Sequence, residues 1–164
     1  MLKYRCFRMG NWTWIGRLTP SRKMPFWMHR SRISPSTSGD VVEIWPGGTV
    51  IRRWSAEAVA KARAEGRIVL VDFTAKWCVT CQANKATSLE VAAVEARLKE
   101  LNAVVLLGDF TRKDQLIAEE LRRFQRAGVP LVLVYPRAAA QPPIVLPALL
   151  TPGLVLDALN AAAK

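Results

Sequence analysis

Cysteine is scarce in this 164-residue chain, with three in all. Three cannot build the multi-disulfide scaffold of a small secreted module. Histidine occurs once, as His29, so a histidine-based metal site has no second imidazole to use. Nowhere do 18 apolar residues run together, because Asp72, Lys76, Asp109 and several prolines interrupt the most hydrophobic stretches. A transmembrane helix is therefore not expected, and the chain should be soluble or peripheral. Acidic residues are missing from residues 1–39, which hold eight of the 24 Lys and Arg side chains. That segment also lacks the continuous apolar run of a secretory signal. Internal repeats are absent.

What is present suits one globular domain behind a basic extension. Apolar residues make up 51% of the chain, enough for a real core. The formal charge of +11 belongs mainly to residues 1–39, which mix cations with Trp12, Trp14, Phe26 and Trp27 and end in the turn-rich Ser34-Pro35-Ser36-Thr37-Ser38-Gly39. We expect this part to be poorly ordered. It suits an organellar transit peptide, a cytoplasm-facing juxtamembrane segment, an upstream start codon wrongly chosen, or a tail without specific function. Its cations and aromatics could also rest on an anionic membrane surface. Nucleic acid is not expected as a partner, since no nucleic-acid fold signature accompanies the charge.

From residue 40 onward the pattern becomes orderly. Val41–Trp45 and Thr49–Arg52 are short strand candidates around the turn Pro46-Gly47-Gly48. Ser55 can cap an alanine-rich helix that Gly66 ends. Ile68–Phe73 is a short apolar run typical of a strand buried on both faces. Thr87-Ser88-Leu89-Glu90 has capping-box spacing, with Leu89, Ala93, Val94, Leu98 and Leu101 following at helical intervals. Ala103–Leu107 gives another strand, Thr111 or Asp114 can cap a helix that stops at Gly128, and Leu131–Tyr135, Ile144–Leu146 and a helix from Pro152 complete the chain. Alternation of this kind predicts an α/β sandwich with a mainly parallel central sheet and one antiparallel edge hairpin over residues 40–164.

Cys78 and Cys81 stand just beyond a buried strand, at the expected start of a helix. Unpaired N–H groups and the helix dipole there favour a thiolate at Cys78, which makes it the candidate nucleophile. Cys81, one turn on, can attack a mixed disulfide at Cys78 and release the reduced partner. Half of a zinc site or two inert packed thiols are the alternatives, yet the other soft ligands, Cys6 and His29, both lie in the basic extension. No metal site is therefore expected.

The residues around this pair resemble a known family. Val71-Asp72-Phe73-Thr74-Ala75-Lys76-Trp77-Cys78-Val79-Thr80-Cys81 is similar to the active-site segment of thioredoxins, and Gly128-Val129-Pro130 resembles the segment in which that family carries a cis-proline. Trp77-Cys78-Val79-Thr80-Cys81, Asp109-Phe110-Thr111-Arg112 and Val129-Pro130-Leu131 are more narrowly similar to the C-terminal thioredoxin-like domain of DsbD-type thiol:disulfide interchange proteins, over about residues 54–160. The resemblance implies a thioredoxin fold, a mixed sheet flanked by helices. It implies a protein-disulfide reductase whose only redox group is the Cys78–Cys81 disulfide, with no other cofactor, working in cell redox homeostasis and cytochrome c biogenesis. Its partners would be a membrane-embedded thiol donor and oxidised proteins, on the periplasmic face of the inner membrane or, as a general thioredoxin, in the cytoplasm.

Particular residues take roles from that resemblance. Asp72 matches a buried aspartate, which can take the Cys81 proton because burial raises a carboxyl pKa; otherwise it is a structural strand-end residue. Trp77 would be a flat shoulder that docks partners, or else a core residue. Val129 and Pro130 would meet an extended substrate, as proline leaves neighbouring backbone free for an added strand. DsbD-type domains often have glutamate seven residues after the first cysteine, where this chain has Lys85, a cation expected to lower the Cys78 pKa. They also belong to proteins with a membrane module, so a separate membrane protein would do that job here or the chain is a fragment. A thioredoxin-fold adaptor or a copper(I) carrier is the non-enzymatic alternative, but the methionines that would serve copper are all in residues 1–39.

Overall fold

A computed structural model describes residues 40–164. Expectations for the basic extension, including those for Cys6, His29 and a membrane-surface contact, lie outside the described residues. The elements run β1 (Val41–Ile44), β2 (Val50–Arg53), α1 (Ala56–Ala64), β3 (Val69–Thr74), α2 (Val79–Asn84), a π-helical segment (Lys85–Leu89), α3 (Ala92–Glu100), β4 (Val104–Asp109), α4 (Gln115–Arg123), β5 (Leu131–Tyr135), β6 (Ile144–Val145) and α5 (Pro152–Ala162). The strands form one mixed sheet in the order β1-β2-β4-β3-β5-β6. Among the described residues no helix is long and apolar enough to cross a membrane.

β3 lies inside the sheet, parallel to β4 and antiparallel to β5, and all six of its residues are buried. The expected parallel centre exists as β2-β4-β3, but antiparallel pairing occurs at both edges, in β1-β2 and in β3-β5-β6. A single edge hairpin was too simple an expectation. Alternation of strands and helices shows that the chain crosses the sheet without showing which end of it the next strand enters from.

Side-chain alternation along the strands feeds two cores. Val69, Val71, Phe73, Leu131 and Leu133 pack with Val59 and Ala62 of α1 and Ile117 and Leu121 of α4. Leu70, Val105, Val132 and Val134 pack with Leu89, with Val94 and Leu98 of α3, and with Val155 and Leu159 of α5. Gly108 lies where the Phe73 ring crosses β4: a Cβ there would stand 2.3 Å from Phe73 Cδ1.

Most helix boundaries follow local chemistry. The Ser55 hydroxyl accepts the Ala58 N–H, and Gly66 follows α1 at a φ of 68°. Asp114 rather than Thr111 caps α4, accepting the Leu116 and Ile117 N–H groups. Helix α4 ends before Gly128, because Gln125 takes the left-handed turn at a φ of 57° and the Arg126 N–H reaches back to the Leu121 carbonyl.

The capping box at Thr87 is not formed. Helix α2 runs on through the π-helical segment to Leu89, and α3 starts after Val91 with no side-chain cap. Thr87 donates to the Ala83 carbonyl and Ser88 to the Leu150 carbonyl, so both hydroxyls serve other partners. Asn84 donates to the Ala148 carbonyl and accepts from the Leu150 N–H, which fixes the same segment to the loop before α5.

Candidate active site

The end of β3 delivers the site. After Thr74 the chain turns, the Cys78 N–H donating to the Ala75 carbonyl at 3.0 Å, and α2 begins with Cys78 as its N-cap. A disulfide links Cys78 and Cys81, whose Cα atoms are 5.2 Å apart, and the Cys81 N–H points at Cys78 Sγ from 3.2 Å. Both cysteines belong to the core that holds Phe73, Ala75 and Leu131. Both cysteines are buried, Cys78 at 7% exposed slightly less so than Cys81 at 3%.

The other predicted residues fall at three places in the fold. Val129 is partly buried and packs against the same apolar core, and the Val129–Pro130 bond that leads into β5 is cis. Trp77 is 54% exposed, which removes the core alternative; its indole N–H donates to the Thr111 carbonyl at 3.2 Å. Val79 beside it is 83% exposed. Asp72 alternates with Val71 and Phe73, so it takes the sheet face of Leu70 rather than that of the cysteine core. It is 3% exposed. Burial raises its pKa to about 7; Lys85 opposes that rise, and Glu43 and Glu90 add to it.

Lys85 differs from expectation. Its Nζ lies 2.5 and 2.6 Å from the two carboxylate oxygens of Glu43 in β1 and 3.4 Å from Glu90. Burial opposes its charge, but the two glutamates outweigh that and hold its pKa above the usual value. The cation expected to act on the Cys78 thiolate is therefore already paired. Sequence reasoning missed Glu43, because 42 residues separate it from Lys85 and no local pattern joins them. It also left Thr111 as a candidate cap, whereas that residue supports the active-site turn: its hydroxyl accepts the Lys76 N–H at 2.9 Å and donates to Asp109.

Among the described residues no group of three or more His, Cys, Asp or Glu is placed to hold a metal ion. The disulfide at the start of α2 supplies two sulfurs able to undergo thiol–disulfide exchange.

Comparison with known proteins agrees. The model of a family described as thioredoxin-like matches residues 50–136. The chain belongs to that thioredoxin-like family. It is 34% identical over 88 residues to the thiol:disulfide interchange protein DsbD of Ralstonia nicotianae, a match covering 54% of this chain and 14% of that protein. The chain thus spans a small part of the curated relatives it matches. Among solved structures, the oxidised C-terminal domain of Neisseria meningitidis DsbD superposes with a TM-score of 0.52 at 17% identity, covering 68% of this chain and 98% of that domain. A thioredoxin from Thermus thermophilus does so at 0.53 and 27% identity, covering 66% and 85%. With a Cys-x-x-Cys pair at the start of α2, this family member carries the residues of a thiol-disulfide oxidoreductase.

Proposed function

We propose that the domain is a protein-disulfide reductase that takes two electrons from a membrane-embedded thiol donor and passes them to disulfide-bonded proteins on the periplasmic face of the inner membrane. The observation that carries the reading is the Cys78–Cys81 pair at the first turn of α2, with Cys78 as the N-cap, in a chain similar to DsbD. The direction follows from Val79-Thr80, which contains no histidine to stabilise the Cys78 thiolate as strong oxidants do.

The reaction begins with both cysteines reduced. Cys78 thiolate attacks one sulfur of a substrate disulfide; that bond breaks, the other substrate sulfur leaves as a thiolate, and a mixed disulfide forms at Cys78. Cys81 then loses its proton; Asp72, which burial keeps protonatable near neutral pH, is the proposed final acceptor, reached through a relay because its side chain lies on the other face of the sheet. The Cys81 thiolate attacks Cys78 Sγ, releasing the second substrate thiolate and closing the Cys78–Cys81 disulfide. The donor dithiol reverses these steps to restore the reduced pair. Trp77 offers an apolar face, and Val129 and Pro130 the neighbouring backbone, to the substrate segment. The cysteine pair is itself the redox group and needs no added cofactor.

The test is trapping. Cys81→Ser should accumulate a mixed disulfide through Cys78, and Cys78→Ser should accumulate none; equal trapping by both would overturn the assigned roles. The pair's reduction potential should lie toward thioredoxin's, about −270 mV, and a value near that of the strong oxidants, about −120 mV, would reverse the direction. Trapping by neither variant would favour the adaptor or copper(I) reading.

A further inference from the structure

The loop after β4 is a fixed mount beside the active-site turn. Phe110 is buried in the core that holds both cysteines, and its N–H donates to the carbonyl of Thr74, the last residue of β3, at 2.7 Å. Further on, Asp114 caps α4. Between these anchors Asp109 accepts from the Thr111 N–H at 2.9 Å and from the Thr111 hydroxyl. Burial works against the Asp109 charge, but those two bonds, with the charges of Lys76 and Arg112, outweigh it and hold the pKa below the usual carboxylate value. An ionised Asp109 has no proton to give. The Thr111 hydroxyl therefore donates its single hydrogen there and keeps its lone pairs for an incoming donor.

That donor is the backbone of the active-site turn. The Lys76 N–H reaches the Thr111 hydroxyl at 2.9 Å, and the indole N–H of Trp77 reaches the Thr111 carbonyl at 3.2 Å. One residue thus holds Trp77 from both sides, by the peptide N–H of the residue before it and by the far end of its ring. Trp77 belongs to neither apolar core and is 54% exposed. An exposed tryptophan without such anchors samples several rotamers and must be ordered when a partner covers it.

We infer that Thr111 is a positioning residue for partner recognition: it fixes the turn through Lys76 and aims the Trp77 ring, so that a disulfide-bearing polypeptide meets a preformed flat face beside Cys78. That the polypeptide carries a disulfide rests on the proposed reductase function; the aiming of Trp77 does not. A small disulfide has too little apolar surface to use the ring, so it meets the sulfurs alone. The signature of this role is discrimination between substrates rather than loss of exchange chemistry.

The experiment uses the full chain, prereduced, in single turnover with two neutral disulfides: hydroxyethyl disulfide, and a peptide disulfide with apolar residues on both sides of each sulfur. The quantity read is the ratio of the peptide rate constant to the small-disulfide rate constant. Thr111→Val keeps the side-chain shape and loses the hydroxyl, and should lower that ratio about three- to tenfold, as expected when one side chain must be ordered on docking. Thr111→Ser, which keeps hydroxyl and carbonyl, should restore it. Trp77→Ala should lower the ratio too, and adding Thr111→Val should lower it no further, because Thr111 acts through the ring. Asp109→Ala frees the hydroxyl to turn away from Lys76 and should move the ratio in the same direction, which tests the same chain of bonds if Thr111→Val does not fold. Independently, 5-fluorotryptophan NMR of the oxidised protein, with the Trp77 signal picked out from the six tryptophans by Trp77→Phe, should show that signal moved in Thr111→Val and unmoved in Thr111→Ser.

A ratio left unchanged by Thr111→Val, a loss that multiplies with that of Trp77→Ala, or a Thr111→Ser variant that behaves like Thr111→Val would overturn the inference. So would an equal fall in both rate constants, which would place Thr111 in the exchange step or in the fold rather than in recognition. If the wild type reduces neither disulfide, the reductase reading falls, and the fluorine signal still decides the aiming of Trp77: movement in Thr111→Val sustains it and indifference overturns it.

Discussion

At the scale of single residues, the site turns on a carboxyl placed where water cannot solvate it. Burial pushes the Asp72 carboxyl from its ordinary 3.8 up to about 7 in the folded protein. A raised acid pKa means that the folded state holds its proton after the unfolded chain has lost it, so stability should be full below about pH 4, fall as pH rises to about 7, and level off above that. Asp72→Asn should remove this slope and stabilise the protein at pH 8 by several kcal/mol, at about 1.4 kcal/mol per pKa unit. Urea unfolding from pH 4 to 8 measures it, and a wild-type profile flat over that range would show that the carboxyl is not desolvated. The partners of Lys85 sharpen the prediction. Loss of the cation in Lys85→Met should raise the Asp72 midpoint, and loss of the anion in Glu43→Gln should lower it. A role confined to holding β1 would move both the same way, and carboxyl NMR titration separates the two cases.

At the scale of elements, what the sequence made legible is what local chemistry decides. The buried run around β3, the Ser55 cap, the left-handed turn at Gly66 and the cysteine spacing each depend on a few adjacent residues, and each is where it was read. What stayed hidden depends on distant partners. The hydroxyls of Thr87 and Ser88 have the right spacing for a cap, but Ser88 is taken by the Leu150 carbonyl, 62 residues away. The β1-β2 hairpin is held similarly: Glu95 in α3 accepts from the Gly47 N–H at 2.8 Å, the Thr49 N–H at 3.2 Å and the Thr49 hydroxyl at 2.7 Å, and a Cβ at Gly47 would stand 2.6 Å from a Glu95 oxygen. Burial pushes the Glu95 pKa up, but these hydrogen bonds outweigh it and keep the pKa below the usual value. Glu95→Ala leaves three donors without their acceptor and should cost about 1–3 kcal/mol. The loss should concentrate in faster amide exchange across β1 and β2, the hairpin that carries Glu43. Uniform loss of protection through all six strands would mean that Glu95 serves the whole core rather than the hairpin.

At the scale of the whole molecule, charge and chemistry are divided along the chain. Both apolar cores, the cysteine pair, Asp72 and the residues around Lys85 fall within residues 40–164, while residues 1–39 contribute eight cations and no acid to a net charge of +11. Removing residues 1–39 should therefore leave thermal stability and the rate of reduction of a small uncharged disulfide unchanged within about twofold, because no group assigned to exchange is lost. It should alter adhesion to anionic surfaces. Each Lys or Arg near such a membrane is worth about 1 kcal/mol at modest ionic strength, and the interleaved tryptophans add apolar contact at the interface. The full chain should consequently sediment with vesicles containing phosphatidylglycerol and be released by salt, whereas the 40–164 fragment, with 16 cations against 13 acids, should stay in solution. Equal retention of both would place the attraction on the folded domain. Equal release of both at low salt would remove the membrane-surface role from residues 1–39, and delivery to a membrane donor would then have to depend on recognition by the domain itself.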